Sequence, residues 1–394
     1  MQSLVSRTMA AWLLIGALLI AGACADRGAP TAPEADAPSG RSSSLSADGD
    51  LWPTQGWAVA TPEELGMRAE DLLQARDYAI STGGGSGYIT RSGRLVLSWG
   101  SPTRKYDLKS TTKSIGGATA LGLAIADGLV SLDTAAQSLY ASFGLPPDTN
   151  QSTGWLDDIT LHHLATHTSG FAKTGGYGKL KHVPGNRWTY SDGGTNWLAD
   201  VLTVRYGHDL NTLLFERVFT PLGIPSTQLK WRLHKTREDS IEGIVRREFN
   251  SGIKASVDAM ARVGYLYLRG GRWEDAQILP AAFTAQVGVP DPAIVGLPIT
   301  DPTKYPLASS HYGQLWWNNG DGTLASVPLD AYWAWGLKDS LIIVIPSLDI
   351  VVARAGPGWR KGFTSDYAIL APFIEPIVAS VANFPTLQDS TGSP

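Results

Sequence analysis

Apolar residues recur at helical spacing in "EELGMRAEDLLQARDYAIST" (63–82), where Leu65, Met67, Leu72, Leu73 and Ala79 share one face. Next, "SGYITRSGRLVLSWG" (86–100) carries two apolar runs around Ser92–Gly93, the pattern of a β-hairpin. From Ser110 onward, Ile115, Ala118, Leu121, Leu123, Ile125 and Leu129 follow a helical period. That run is almost wholly apolar until Asp127, which predicts a helix inside the domain rather than on its surface.

The middle of the chain, about 130–240, alternates short helical patterns with loops: "ITLHHLATHTSG", "SDGGTNWLADVLTVRYG" and "DLNTLLFERVFTPLG". A further helix is predicted in "ASVDAMARVGYLYLRGG". Late in the chain "DSLIIVIPS" and "DIVVARAG" predict a second hairpin, turning at Pro346 and Ser347, and "DYAILAPFIEPIVASVAN" a closing helix. Strands early and late, with helices between, imply an α/β (α+β) fold. Its antiparallel sheet is built from both chain ends, is flanked by helices, and carries a mostly helical lobe.

The N-terminus departs from this pattern. Arg7 precedes "TMAAWLLIGALLIAGACA", uncharged up to Asp26. Its apolar core is short against the about 20 residues of a spanning helix and ends in small residues, which reads as a secretory signal rather than a permanent anchor. The one cysteine, Cys24, follows Ala21, Gly22 and Ala23 and resembles the lipidated cysteine of a bacterial lipoprotein. Ala21 stands where leucine is usual, so cleavage at Ala23 or Ala25 remains the alternative. A single cysteine allows no disulfide within the chain. Residues 1–24 are thus expected as signal and 25–50, rich in Pro, Ala, Ser and Gly, as a flexible linker. The folded domain is expected over 51–394, in a protein exported to the periplasm or tethered to a membrane through Cys24.

Composition narrows the function. Of 394 residues, 43% are hydrophobic and 17% charged, a globular balance, and the net charge of −4 is spread without a basic block. No nucleic-acid footprint results.

One spacing suggests chemistry. Ser110 and Lys113 lie three apart where the buried helix begins, so the lysine can reach the serine oxygen within a turn. A serine hydroxyl needs a neighbouring base, and burial favours the neutral amine that can act as one. Free N–H groups at a helix start would also favour an oxyanion. The plain alternative for Ser110 is a helix cap. The same spacing at Ser251–Lys254 lacks the setting, since Gly252 intervenes and the segment reads as a loop. No G-x-S-x-G elbow or phosphate loop occurs. His163 and His167 are four apart without the glutamate of a zinc protease motif, so loop and capping roles are expected.

Several segments, in order, resemble the serine β-lactamase and penicillin-binding-protein superfamily. "DLKSTTKSIGG" is similar to its nucleophile segment, and "ITLHHLATHTSGF" to the L-L-x-H-x-S-G turn of the class C and esterase branches. "PGNRWTYSDGGTNWLADVL" is similar to the segment with the catalytic tyrosine. "ASVDAMARVGYLYLRGG", "HYGQLWWNN" and "AWGLKDSLIIVIPSLDIVVARAG" resemble the following helix, aromatic strand and third motif strand. The likeness spans roughly 52–394. It implies a β-lactamase/transpeptidase-like fold with Ser110 as acylated nucleophile, Lys113 as proton acceptor and Tyr190 as the partner acid and base.

Two positions depart from that pattern. The family's Y-x-N is Tyr190-Ser191-Asp192 here, and Asp192 would orient Lys113 while repelling an anionic substrate. The third motif is Ala334-Trp335-Gly336, without the cation that grips a substrate carboxylate; Lys338 is the nearest substitute. Gly336 would let the strand approach an acyl group, and Leu337 or Lys338 would supply an oxyanion N–H. Both departures point to esters or uncharged amides. The 14 tryptophans fit either an apolar acyl pocket, with Trp316, Trp317, Trp333 and Trp335 nearby, or plain core packing. The resemblance therefore implies a carboxylesterase-like serine hydrolase acting on a small-molecule ester. An amide hydrolase of the kind that cuts 6-aminohexanoate oligomers, a β-lactamase or D,D-peptidase, and a non-catalytic penicillin-binding-like module are the alternatives. No cofactor and no metal is implied.

Overall fold

Seven strands form the central sheet of the computed structural model, which describes residues 44–45, 49–359 and 362–381. In chain order they are β1 (Ala58–Val59), β2 (Ser86–Arg91), β3 (Arg94–Trp99), β4 (Trp317–Asn318), β5 (Tyr332–Trp335), β6 (Leu341–Ile345) and β7 (Ile350–Ala355). Across the sheet the order is β4-β5-β6-β7-β2-β3-β1. The two expected hairpins, β2–β3 and β6–β7, meet at the middle, where β7 pairs antiparallel with β2 from Ile350↔Arg91 to Ala355↔Ser86. The sheet is thus assembled from both chain ends. It is not wholly antiparallel, because β1 lies parallel to β3 at the edge.

Alternation along β6 and β7 explains how one sheet serves two cores. Ile342, Val344, Val351 and Ala353 face a cluster that continues into the helical lobe, whereas Leu341, Ile343, Ile345, Ile350 and Val352 face the opposite cluster. Helix α1 (Ala69–Gly83) packs beside the closing helix Ala371–Ala379. Helix Val257–Leu268 covers the other face, with Gly264 set so tightly that a Cβ there would stand 2.6 Å from Val351 and 2.7 Å from Ile342. Any side chain at that position would push helix and sheet apart.

Two expected helices are broken locally. The first is split by Gly66 (φ +68) into a short turn, Glu63–Leu65, and α1. The closing one is a turn, Tyr367–Ile369, followed by Ala371–Ala379. Pairing also starts ahead of the expected domain edge, since Leu45 lies opposite Leu51, and Asp50 binds Arg272 at 2.5 Å. The signal segment and Cys24 lie outside the described residues. Among the described residues no helix is long and apolar enough to cross a membrane.

The lobe holds short helices joined by loops and one longer helix, α2 (Asp192–Tyr206). Trp197 of α2 is buried among Tyr140, Phe143, Phe171 and Tyr177, with the Arg237 guanidinium 4.2 Å above its ring. A small sheet of Tyr106–Asp107, Ile253–Ala255 and Leu229–Trp231 lies beside the segment that carries Ser110. The cleft opens where lobe and main sheet meet.

Candidate active site

The expected helix after Ser110 is three kinds of turn in succession. Lys109–Thr111 is a 3-10 turn, Lys113–Ala118 a π-type segment and Thr119–Ala126 regular α-helix. Lys109 enters with φ +52, a left-handed conformation that costs energy in a non-glycine residue and recurs at functional turns. Tertiary bonds hold the turn. Thr111 donates to the Ser340 carbonyl at 2.7 Å, Ser114 donates to the Leu315 carbonyl at 2.7 Å, and Thr112 accepts from the Ile253 N–H. Ser110 is thereby presented to the cleft in the first turn, and among the described residues no acceptor takes its N–H.

Lys113 is buried beneath it. Its amine lies 3.4 Å from Ser110 Oγ, 2.8 Å from Asp192 Oδ1 and 3.2 Å from the Asn250 carbonyl. Burial lowers the lysine from its ordinary range, and Asp192 and then Glu248 offset only part of that. Asp192 opens α2 behind the Ser191 cap, and its second oxygen accepts from Lys173 at 3.1 Å. Burial would raise the Asp192 carboxyl, but Lys113 and Lys173 together outweigh it and hold the group below the usual carboxylate range.

Tyr190 completes the set. It lines the cleft beside Ser110, and its phenol is raised by burial and by Asp192, against the opposing pull of Lys173 and of Ser110. Lys113 stands 4.6 Å and Lys173 4.5 Å from its ring centroid. Tyr305 stacks on it at 4.9 Å and 9°. His167 fixes the segment on both sides. Its carbonyl accepts from the Thr189 N–H at 2.8 Å, its Nδ1 accepts from the Ser191 N–H at 3.1 Å, and its ring lies 4.4 Å from that of Tyr190. It does so with φ +63, and burial keeps it neutral by lowering its pKa well below the ordinary value. His163 forms a reciprocal cap with Thr160.

The third motif carries a constraint beyond the expected one. A Cβ on Gly336 would stand 2.2 Å from the Leu108 carbonyl and 2.9 Å from Thr111 Oγ1. The close approach to the turn bearing Ser110 by itself demands glycine there. Leu337 lines the cleft, and among the described residues no acceptor takes its N–H, which leaves that group available to an oxyanion. Lys338 is exposed, does not line the cleft, and engages Arg354 through its carbonyl.

The cleft encloses about 270 Å³. Ser110, Tyr190, Tyr305, Leu337 and Phe363 line it, and its cations are Lys109, Lys173 and Lys304. Lys109 is paired with Asp107 at 2.6 Å and Lys173 with Asp192, whereas Lys304 makes no ion pair among the described residues. Of the two readings of the tryptophans, core packing holds: Trp316, Trp317, Trp333 and Trp335 are at most 3% exposed, and the apolar wall comes from Tyr305, Leu337 and Phe363. One expectation needs correction. Asp192 does not face substrate as a free negative charge, because two lysines share it. Of the second Ser-x-x-K pair, Ser251 reaches the cleft rim and bonds to Glu248. Lys254 sits exposed on a strand, where no helical turn brings it back.

Sequence reasoning missed Lys173, Tyr305 and Lys304, which no local pattern marks, and His167's hold on Tyr190. Only His167 had a signal, as the histidine of "HTSG".

A sheet-and-helix fold that gathers serine, buried lysine and tyrosine at one cleft defines the β-lactamase/transpeptidase-like class. The Beta-lactamase family matches residues 69–354, and the chain belongs to that family of hydrolases. A Bacillus anthracis protein assigned as a 6-aminohexanoate-dimer hydrolase has a similar structure, with TM-score 0.64 and 15% identity over 85% of this chain and 90% of that one. A penicillin-binding protein homolog from Caulobacter crescentus gives 0.59 and 15%, covering 80% and 99%. EstCE1, a hydrolase with promiscuous acyltransferase activity, gives 0.57 and 16%, covering 81% and 99%. At such identities the likeness is one of fold. No curated protein matches the chain.

Proposed function

We propose that the protein is a serine hydrolase of carboxylic esters working through a Ser110 acyl-enzyme. The observation that carries this is the meeting of the three groups at one site: the Lys113 amine lies 3.4 Å from Ser110 Oγ, and Ser110 and Tyr190 line the same cleft, with Lys113 4.6 Å from the Tyr190 ring. Ser110 Oγ attacks the ester carbonyl and its proton passes to the Lys113–Tyr190 pair. The oxyanion is met by the Ser110 and Leu337 N–H groups. As the intermediate collapses, Tyr190 protonates the departing alcohol. Water then attacks the acyl-enzyme, loses its proton to the same pair, and releases the acid and free Ser110.

The test is intact mass after exposure to a fluorophosphonate, together with turnover of 4-nitrophenyl butyrate, each repeated on Ser110→Ala. A Ser110-dependent adduct with turnover supports the reading. An adduct without turnover would make this a penicillin-binding-like module, and no adduct with either reagent sinks the nucleophile.

Lys304 favours a second reading. An unpaired ammonium in the cleft suits substrates that carry a carboxylate, such as amides of amino acids or β-lactams. Faster hydrolysis of a carboxylate-bearing anilide than of 4-nitrophenyl butyrate would place this reading first.

The N-terminal segment supports export, with Cys24 as the lipidation point in a bacterial envelope. Incorporation of labelled palmitate that is lost in Cys24→Ser would establish the tether; an unlabelled, cleaved protein would make the segment a plain signal.

A further inference from the structure

The resemblance implies an asparagine where this chain has Asp192, so a full negative charge has entered the site beside the lysine that must lose a proton. We propose that Lys173 is a positioning residue that neutralises Asp192, so that the Asp192–Lys173 pair stands in for a neutral amide next to Lys113. The inference rests on the reading of Ser110, Lys113 and Tyr190 as the reacting set.

Geometry divides the labour. The two oxygens of Asp192 are split between the lysines, Oδ1 to Lys113 at 2.8 Å and Oδ2 to Lys173 at 3.1 Å. The side chain of Lys113 is 2% exposed, and that of Lys173 is 46% exposed. An ammonium at the cleft mouth keeps much of its hydration, whereas the one beneath Ser110 keeps almost none. Lys173 is therefore the member that stays charged. Its pKa runs the same way: burial opposes the ammonium, but Asp192, then Tyr305 and Tyr190, raise it above the ordinary lysine range.

The other groups facing the pair do not replace this role. His167 is neutral, and Tyr190 and Tyr305 are held protonated by burial. Glu248 acts on Lys113 from the far side but is itself engaged by Arg232, the Lys235 N–H and the Ser251 hydroxyl. Ser110 and the Asn250 carbonyl carry no charge. Without Lys173, the undivided Asp192 carboxylate would lock Lys113 as an ammonium and raise the phenol of Tyr190 further.

The experiment measures the rate of Ser110 labelling by a fluorophosphonate against pH. Four variants accompany the wild type: Lys173→Met, Asp192→Asn, the double variant and Lys173→Arg. Lys173→Met is expected to move the acid limb up by about one pH unit, a tenfold loss on that limb, because the unshared carboxylate favours protonated Lys113. Asp192→Asn is expected to move it down, since two ammonium groups then repel. The double variant should return the limb toward the wild-type position and label faster than Lys173→Met, and Lys173→Arg should stay near wild type. A merely structural residue would not give opposite shifts that cancel. Limbs that do not move, or a double variant no faster than the slower single one, would overturn the inference while leaving the nucleophile intact. A wild type that is not labelled overturns the underlying reading, and this inference with it.

Discussion

The Lys113 amine lies closer to Asp192, at 2.8 Å, than to Ser110, the residue it would activate, at 3.4 Å. A carboxylate bond favours the ammonium, while burial favours the amine, and the balance falls below lysine's ordinary range. The protonated pair cannot accept the serine proton. Ester hydrolysis should therefore rise with pH along an acid limb that lies below the ordinary lysine range. A kcat/KM profile with 4-nitrophenyl butyrate checks this, and a rate still falling as pH rises through that limb would contradict it.

Asp192 also ties stability to pH. Its carboxyl is held below its unfolded value, so its contribution is present above about pH 4 and is lost as pH falls through the lowered folded value. The difference in Tm between wild type and Asp192→Asn should be largest near neutrality and shrink on acidification to pH 3. Scanning calorimetry across that range measures it.

Removing the reacting groups should separate their roles. Ser110→Ala is expected to lower kcat by about 10⁴-fold or more and to abolish the fluorophosphonate adduct. Tyr190→Phe keeps the ring that stacks on Tyr305 but loses the proton carrier, for a loss of about 10²–10⁴-fold in kcat. Circular dichroism of both variants should match the wild type.

Gly336→Ala would place a methyl 2.2 Å from the Leu108 carbonyl, a backbone atom that cannot swing aside. The turn bearing Ser110 must shift, with a stability loss of about 1–3 kcal/mol. A displacement of this turn should cost about 10²-fold in kcat/KM, whereas Ala334→Gly, two residues back on the strand, should keep the turn in place. Urea denaturation and ester kinetics on the two variants decide the matter.

His167→Phe preserves a ring beside Tyr190 but removes the acceptor of the Ser191 N–H. A buried donor left without a partner costs about 1–3 kcal/mol. Activity should fall through kcat more than through KM, because the displaced group is the acid and base rather than a binding surface. His167→Asn, which tolerates a left-handed backbone and restores an acceptor, should recover part of it.

Much of the architecture was legible because its causes are local. The two hairpins follow from apolar runs around Ser92–Gly93 and Pro346–Ser347, and the buried helix after Ser110 from an almost wholly apolar stretch. The likeness of "DLKSTTKSIGG" and "YSD" to a known family brought Ser110, Lys113 and Tyr190 forward by number, and the structure places all three at one cleft. The parallel edge strand β1 was not legible, since two residues carry too little periodicity to read.

What the sequence determined by itself is therefore what neighbours along the chain can decide: the turns, the helical faces and the three-residue step from Ser110 to Lys113. Tertiary structure decided the rest. Lys173 reaches Asp192 from nineteen positions away, His167 grips the flanks of Tyr190, and Gly336 is needed because Leu108 presses on it. The tryptophans near the third motif became core because both faces of the sheet are covered, Trp316 joining one cluster and Trp317, Trp333 and Trp335 the other. The charge at Asp192 shows the difference most plainly. Written along the chain it is an uncompensated carboxylate; in the fold its two oxygens are shared between Lys113 and Lys173, because electrostatic energy depends on separation in space and not along the sequence.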